Sequence, residues 1–384
     1  MLILRNCPIS GVHFSRQIME RWPRRTSLQI SAITGGGLLV PETHELSMSD
    51  FSLTSMSAAY MTIEVLFGFS IEHEKIDGFL AEHEIEAVLT ECSLLLGQLY
   101  EGRSPGDRTT QRQLVNTYLV GEVRSKALEI LEGDNWVFIS PQLVLSVIKL
   151  RLLGPRVPTT STPSMNLRTT VIMAVLAVAT ELGRDRTHEA ERLGGMPRSL
   201  AMEFFSNQLF NRNLDIGAEI ARFKRHRTLV QERFSDETRK FDQLFTDYTG
   251  TTVEALFCVG CYTVFRQRQD HVVELPIELF FQLNLERGVI QSAIDLLATD
   301  QEHLASLLRR DSRRLEFAWS FNSLRRFPML KMSNGHLLIL NPAFVLVRAL
   351  STAYFWEIKS RSIDVIEEGV GDVPEANKVL GVIQ

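Results

Sequence analysis

From Ser57 onward the apolar residues of this chain recur at three- and four-residue steps, the period of a helix with one buried face. Ile63, Leu66 and Phe67 carry the pattern across 59–70, and Ile85, Val88, Leu89, Leu95 and Leu96 carry it across 78–100. A further helix is predicted over 110–132, stopping at Gly133. Pro141 is placed to open the next, PQLVLSVIKLRLL, because proline fits the first helical turn. Later in the chain the same spacing predicts helices over 166–182, 198–211, 214–233, 236–247 and 251–267. Thr251 or Thr252 is the expected cap of the last of these. Three short helices are then expected at 276–284, 286–297 and 300–310.

Two stretches interrupt this period. Between Gly154 and Ser164, Pro155, Pro158 and Pro163 stand among serines and threonines that neither continue a helix nor bury anything. The second stretch runs from Met329 to Leu340, where two short apolar runs flank Ser333-Asn334-Gly335-His336. Asn-Gly between such runs predicts a hairpin with a type I′ turn, followed by Asn341-Pro342 opening a helix through Ala353. The expected fold is therefore mostly α, with two helical regions and one small β-hairpin at about 327–340. In order, residues 1–153 form an N-terminal helical region with a flexible stretch at 31–57, and 154–165 form a linker. Residues 166–360 form a C-terminal helical region, and 361–384 a poorly ordered tail. Three short helices followed by a hairpin also reproduce, over 276–340, the order of elements in a winged helix-turn-helix.

Composition adds compartment and charge to this outline. A chain of 384 residues suits two to three domains, and 45% apolar residues exclude wholesale disorder. Four cysteines are too few to staple it, which implies a reducing, cytoplasmic setting. The longest apolar run, Val171 to Ala179, is half a membrane span, so no membrane partner is expected. The net charge of −5 divides into −6 over residues 1–150 and +1 over the remainder. Of the 41 basic residues 33 are arginines, scattered along the chain in the manner of a coding bias.

Four constellations have the residue types that chemistry needs. Cys258-Val259-Gly260-Cys261 has the spacing of a thiol pair or half a metal site, but it falls mid-helix and no second pair exists, so buried core cysteines are expected. Glu72-His73-Glu74 and Glu82-His83-Glu84-Ile85-Glu86 offer hard ligands at a spacing no single helix turns toward one ion, which predicts a solvated acidic face. Trp356-Glu357-Ile358-Lys359 matches half of a PD-(D/E)xK nuclease signature, with Glu357 and Lys359 as metal ligand and water-orienting cation. Asn341-Pro342 stands where the signature wants its other acid. The last constellation is basic. Arg222, Lys224, Arg225 and Arg227 crowd one helix, while Arg309, Arg310, Arg313, Arg314, Arg325, Arg326 and Lys331 lie within 23 residues against Asp311 and Glu316. Such clusters are what phosphate contact requires, so these seven are the nucleic-acid contact candidates. Around Gly35-Gly36-Gly37 the spacing of a nucleotide loop is not met.

Asn207-Gln208-Leu209-Phe210-Asn211 leading to Ile220-Ala221-Arg222, then Leu324-Arg325-Arg326-Phe327-Pro328-Met329-Leu330, Asn334-Gly335-His336, Asn341-Pro342 and Tyr354-Phe355-Trp356, form a connected pattern over residues 166–360. In it the chain resembles a set of uncharacterised bacterial helical proteins that often precede a restriction-nuclease-like C-terminal domain. That domain would begin about where this chain ends, at Gln384, which the resemblance implies is the scaffold part without its effector. The expectation is thus a non-enzymatic helical scaffold, sensor or interaction module of a bacterial cytoplasmic system, linked to nucleic-acid handling or defence. A protein partner is expected, nucleic acid is the second candidate partner, and no cofactor or metal is called for. A winged-helix-like nucleic-acid-binding protein and a metal-dependent nuclease are the competing readings.

Overall fold

Polar side chains set where the helices begin in a computed structural model of the chain, which describes residues 59–350 except 70, 72, 102–104, 134–135, 161, 194–215, 234 and 312–320. Thr62 accepts a hydrogen bond from the Val65 N–H and starts α1 (Ile63–Phe67), and Asp107 does the same through the Thr110 N–H for α4 (Arg108–Tyr118). Ser140, followed by Pro141, starts α6 (Pro141–Leu153). Each such cap satisfies a backbone donor that a helix end leaves open, which is worth about 1 kcal/mol. Between these lie α2 (His73–Ala81), α3 (Ile85–Glu101) and α5 (Gly121–Glu132), and α7 (Leu167–Leu193) follows. The single helix expected over 110–132 is broken in two at Leu119 and Val120, both extended, and restarts at Gly121, whose φ is 59°. Likewise the pattern read over 78–100 is split at residues 82–84 between α2 and α3.

α6 is the centre of this half. Every residue from Pro141 to Leu152 is buried, Lys149 and Arg151 included, because α2, α3 and α7 close around it. The apolar run Val171–Ala179 forms the buried face of α7, not a membrane segment, and among the described residues no helix is long and apolar enough to cross a membrane. A two-residue parallel pairing of β1 (Ala59–Tyr60) with β2 (Trp136–Val137) closes one end. Buried Gln111 anchors the chain beyond it, with its carbonyl accepting from the Phe138 and Ile139 N–H groups and its amide donating to the Ile139 carbonyl.

The later helices are α8 (Ile216–Arg233), α9 (Ser235–Thr249) and α10 (Val253–Asp270), with Thr252 the cap of α10 through the Ala255 N–H. The helix expected over 198–211 lies outside the described residues, as does the glycine-rich stretch at 31–57. Next come β3 (Glu274–Pro276), a 3-10 helix (Ile277–Gln282), α11 (Arg287–Leu297), β4 (Ala298–Asp300), α12 (Gln301–Asp311), α13 (Asn322–Arg326), β5 (Met329–Lys331), β6 (His336–Ile339) and α14 (Pro342–Leu350). Asn341 caps α14 by accepting from the Phe344 N–H at 3.1 Å, so Asn341-Pro342 is a helix start.

The expected hairpin is present, but it is the middle of a four-stranded sheet in the order β3-β6-β5-β4. β6 runs antiparallel to both β3 and β5, while β4 lies parallel to β5 with Ala298 opposite Met329. The turn also departs from type I′. Only Gly335 has a positive φ, at 81°, and the Gly335 N–H donates to the Met332 carbonyl while the Met332 N–H donates to that of His336. This is a type I turn closed by a left-handed glycine, the usual three-residue loop.

All described residues fall in one compact unit. The Pro/Ser/Thr stretch 154–165 joins α6 to α7, which pack directly on each other. One continuous apolar core runs from Met61 through Val144 and Val175 to Val259, Leu338 and Phe344, on both sides of that stretch. α6 also touches α12, and α3 touches α10 and α14, so the two helical regions share their interior.

Candidate nucleic-acid interface

α12 begins with Asp300 accepting a hydrogen bond from the His303 N–H at 2.8 Å, and that bond holds the Asp300 carboxyl below its ordinary range. Leu304 and Leu308 point into the core, which leaves Glu302, His303, Arg309 and Arg310 on the exposed side of the helix. Arg309 and Arg310 occupy the last turn, where a helix presents about half a negative charge. Two guanidiniums outweigh that half charge and Asp311 together, which leaves the turn positive by about half a charge. Neither arginine has a hydrogen bond or ion pair among the described residues.

α12 packs against α13, which brings two more candidates close to it. Arg326 is exposed and lies over the ring of Phe327, its guanidinium carbon 5.4 Å from the ring centroid. The imidazole of His303 meets the same ring edge-on at 5.8 Å and 80°. His303 and Arg310 are seven residues apart, two helical turns, and so share one face of α12. His303 and Phe327 were not among the sequence-derived candidates. The only signal for them is position: Phe327 directly follows Arg325-Arg326, and His303 stands two turns before Arg310.

The other candidates do not join this corner. Arg325 is half-buried and turns toward α14, 5.8 Å from the Phe344 ring centroid. Lys331 pairs with Asp295 of α11 at 2.8 Å. Arg313, Arg314, Glu357 and Lys359 lie outside the described residues. Within the α8 cluster, Arg227 is buried and forms a fork on Asp242 at 2.9 and 2.7 Å with a third bond to Glu254 at 2.8 Å, which ties α8 to α9 and α10. Burial would lower the Arg227 guanidinium, but the two carboxylates outweigh it and raise it above its ordinary value.

The remaining constellations are bound into the fold. Cys258 and Cys261 are buried on α10, and Gly260 between them is where α14 crosses at closest approach. Burial, then the neighbouring Cys258, pushes the Cys261 thiol well up, so Cys261 lacks thiolate character. The His-acid segment between α2 and α3 holds remote pieces of chain together. Glu82 accepts from both the N–H and the hydroxyl of Ser164, at 2.6 and 2.7 Å, and those bonds hold its carboxyl below the ordinary range. His83 is bonded to Thr170 at 3.1 Å, and Glu86 accepts from the Ser333 N–H and hydroxyl at the tip of the β5–β6 hairpin, both at 3.1 Å. Beneath them Arg151, 1% exposed, donates to the carbonyls of Pro155 and His83, and burial pulls its guanidinium down to about 10. The expected solvated acidic face is thus in part a set of clamps. Among the described residues no three His, Cys, Asp or Glu side chains are grouped to hold a metal ion.

No protein family, curated protein or solved structure matches this chain. The reading rests on the corner itself.

Proposed function

We propose that this chain is a non-enzymatic helical scaffold of a bacterial cytoplasmic system and that it docks on nucleic acid through the corner at the end of α12. The observation that carries the reading is the contrast among the basic candidates. Lys331, Arg227 and Arg325 each face a partner side chain of the molecule, Lys331 at the surface, whereas Arg309 and Arg310 are exposed with no such partner among the described residues, next to α13 and Arg326. The clamps from Glu82, Glu86 and Arg151 support the scaffold half of the reading, since they hold four distant stretches of chain in one body. A protein partner, such as a separately encoded effector, would use other faces of that body.

The test is binding of labelled oligonucleotides to the full chain between 50 and 200 mM salt. Each lost phosphate contact flattens the logarithmic salt dependence by about 0.7 to 0.9. The Arg309→Glu/Arg310→Glu variant is expected to bind at least about tenfold more weakly at the low-salt end and with a slope reduced by about 1.4 to 1.8. Unchanged affinity and slope would overturn the assignment. Magnesium-dependent cleavage that Glu357→Ala abolishes would instead overturn the non-enzymatic half.

A further inference from the structure

We infer that the nucleic acid taken by this corner is single-stranded, with phosphates on Arg309 and Arg310 and a base stacked against the His303–Phe327–Arg326 group. The inference rests on the phosphate-docking reading above and adds the class of ligand and two residues to it.

Readers of duplex DNA of the winged kind insert a hairpin and the helix beside it, and here the hairpin and α13 are both engaged elsewhere. The hairpin tip is fastened to α3, because Glu86 accepts both the N–H and the hydroxyl of Ser333. Lys331, the cation on β5, is paired with Asp295. α13 is five residues long and turns Ser323 and Leu324 into the core, which leaves too short a face to follow a major groove.

Three flat groups, by contrast, are gathered at the surface. Phe327 is half-buried, with the Arg326 guanidinium over it and the His303 imidazole at its edge. Single strands are held in this way: unstacked bases lie on aromatic rings or on guanidinium planes, and adjacent cations follow the backbone. Duplex bases are stacked on one another and offer no such face. Arg310 stands about 10.5 Å along α12 from His303, on the same side, so a strand running along the helix meets the stacking group and then Arg310, with Arg309 about 100° further round the helix.

The experiment compares a labelled oligothymidine of twelve nucleotides with a duplex of the same length, on the full chain at fixed salt, with matched thermal melts for every variant. The single strand is expected to bind at least about tenfold more tightly. His303→Ala, which removes an exposed ring, is expected to weaken single-strand binding about tenfold while leaving the salt slope unchanged. Arg326→Ala is expected to weaken it to a similar extent, again at an unchanged slope. Equal or tighter binding of the duplex, with Arg309→Glu/Arg310→Glu still harmful, overturns this inference and leaves the docking reading standing. Unchanged affinity of His303→Ala overturns the stacking role. A polyglutamate chain that competes as well as the oligonucleotide identifies the site as one for an acidic protein segment and overturns both, as does failure to bind either oligonucleotide.

Discussion

Gly260 of α10 lies directly beneath Ala349 of α14, so close that a Cβ on residue 260 would overlap that of Ala349. The glycine between the two cysteines is therefore what lets the two helices approach. Gly260→Ala raises helix propensity but must push α14 away, and overpacking of this kind costs about 1–3 kcal/mol. A clear fall in the urea midpoint at unchanged slope is expected. A midpoint equal to that of the parent would mean that α14 shifts at no cost.

The same crossing makes Cys258 and Cys261 poor nucleophiles. Both are buried, and for Cys261 burial pushes the thiol far above neutral pH. Native protein at pH 8 should resist iodoacetamide at these two positions and at Cys92, and should react at all three once unfolded in urea. Peptide mass analysis distinguishes the cases, and rapid native labelling of Cys261 would restore the case for a thiol site.

Arg227 joins three helices through its fork on Asp242 and its bond to Glu254. Lysine keeps the charge but not the fork. Arg227→Lys should therefore destabilise the protein, and Arg227→Met more so, because it leaves two carboxylates without their cation. Those carboxylates are partly in water, so the loss for Met is expected near about 1.5–3 kcal/mol and not at the larger values of fully buried pairs. Denaturant titration of the two variants would sink the idea if their order were reversed.

Glu82 gives a pH dependence with a definite sign. Its carboxyl is held below the ordinary 4.5 by the Ser164 hydroxyl and N–H, so folding gains from this contact above that pH and loses the gain as pH falls through the lowered value. Loop 154–166 should accordingly be cut by a protease active at low pH more readily at pH 3 than at pH 6. In Glu82→Gln that difference should shrink; if it persists undiminished, another group controls the loop.

The fold was legible where a helix has one wet and one dry face. α11 and α12 fall within a residue of their predicted spans, since burial of one stripe leaves a 3.6-residue period in the chain. β3 and β4 were not, because three residues are too few to display alternation, and their pairing with β6 and β5 depends on chain distant in sequence. The docked path of residues 154–165 was equally hidden. Its composition is that of a linker, and what fixes it in place is donation of the Thr159 N–H to the Ala81 carbonyl and of Ser164 to Glu82. At the candidate site the arginines were legible as a cluster, but their division into inward and outward side chains was not. That division depends on Phe344 and Asp295, which only packing brings beside Arg325 and Lys331.

The surface loop between α6 and α7 joins two stretches of one shared interior. A single cut in it therefore does not release two proteins. It yields two polypeptides, each with half of a dry surface, that remain together as a non-covalent pair until denaturant separates them. Expressed separately, neither piece should fold alone, and mixing them should restore the native spectrum. The molecule can thus be encoded in two parts at this point, whereas a break within α6 would destroy it.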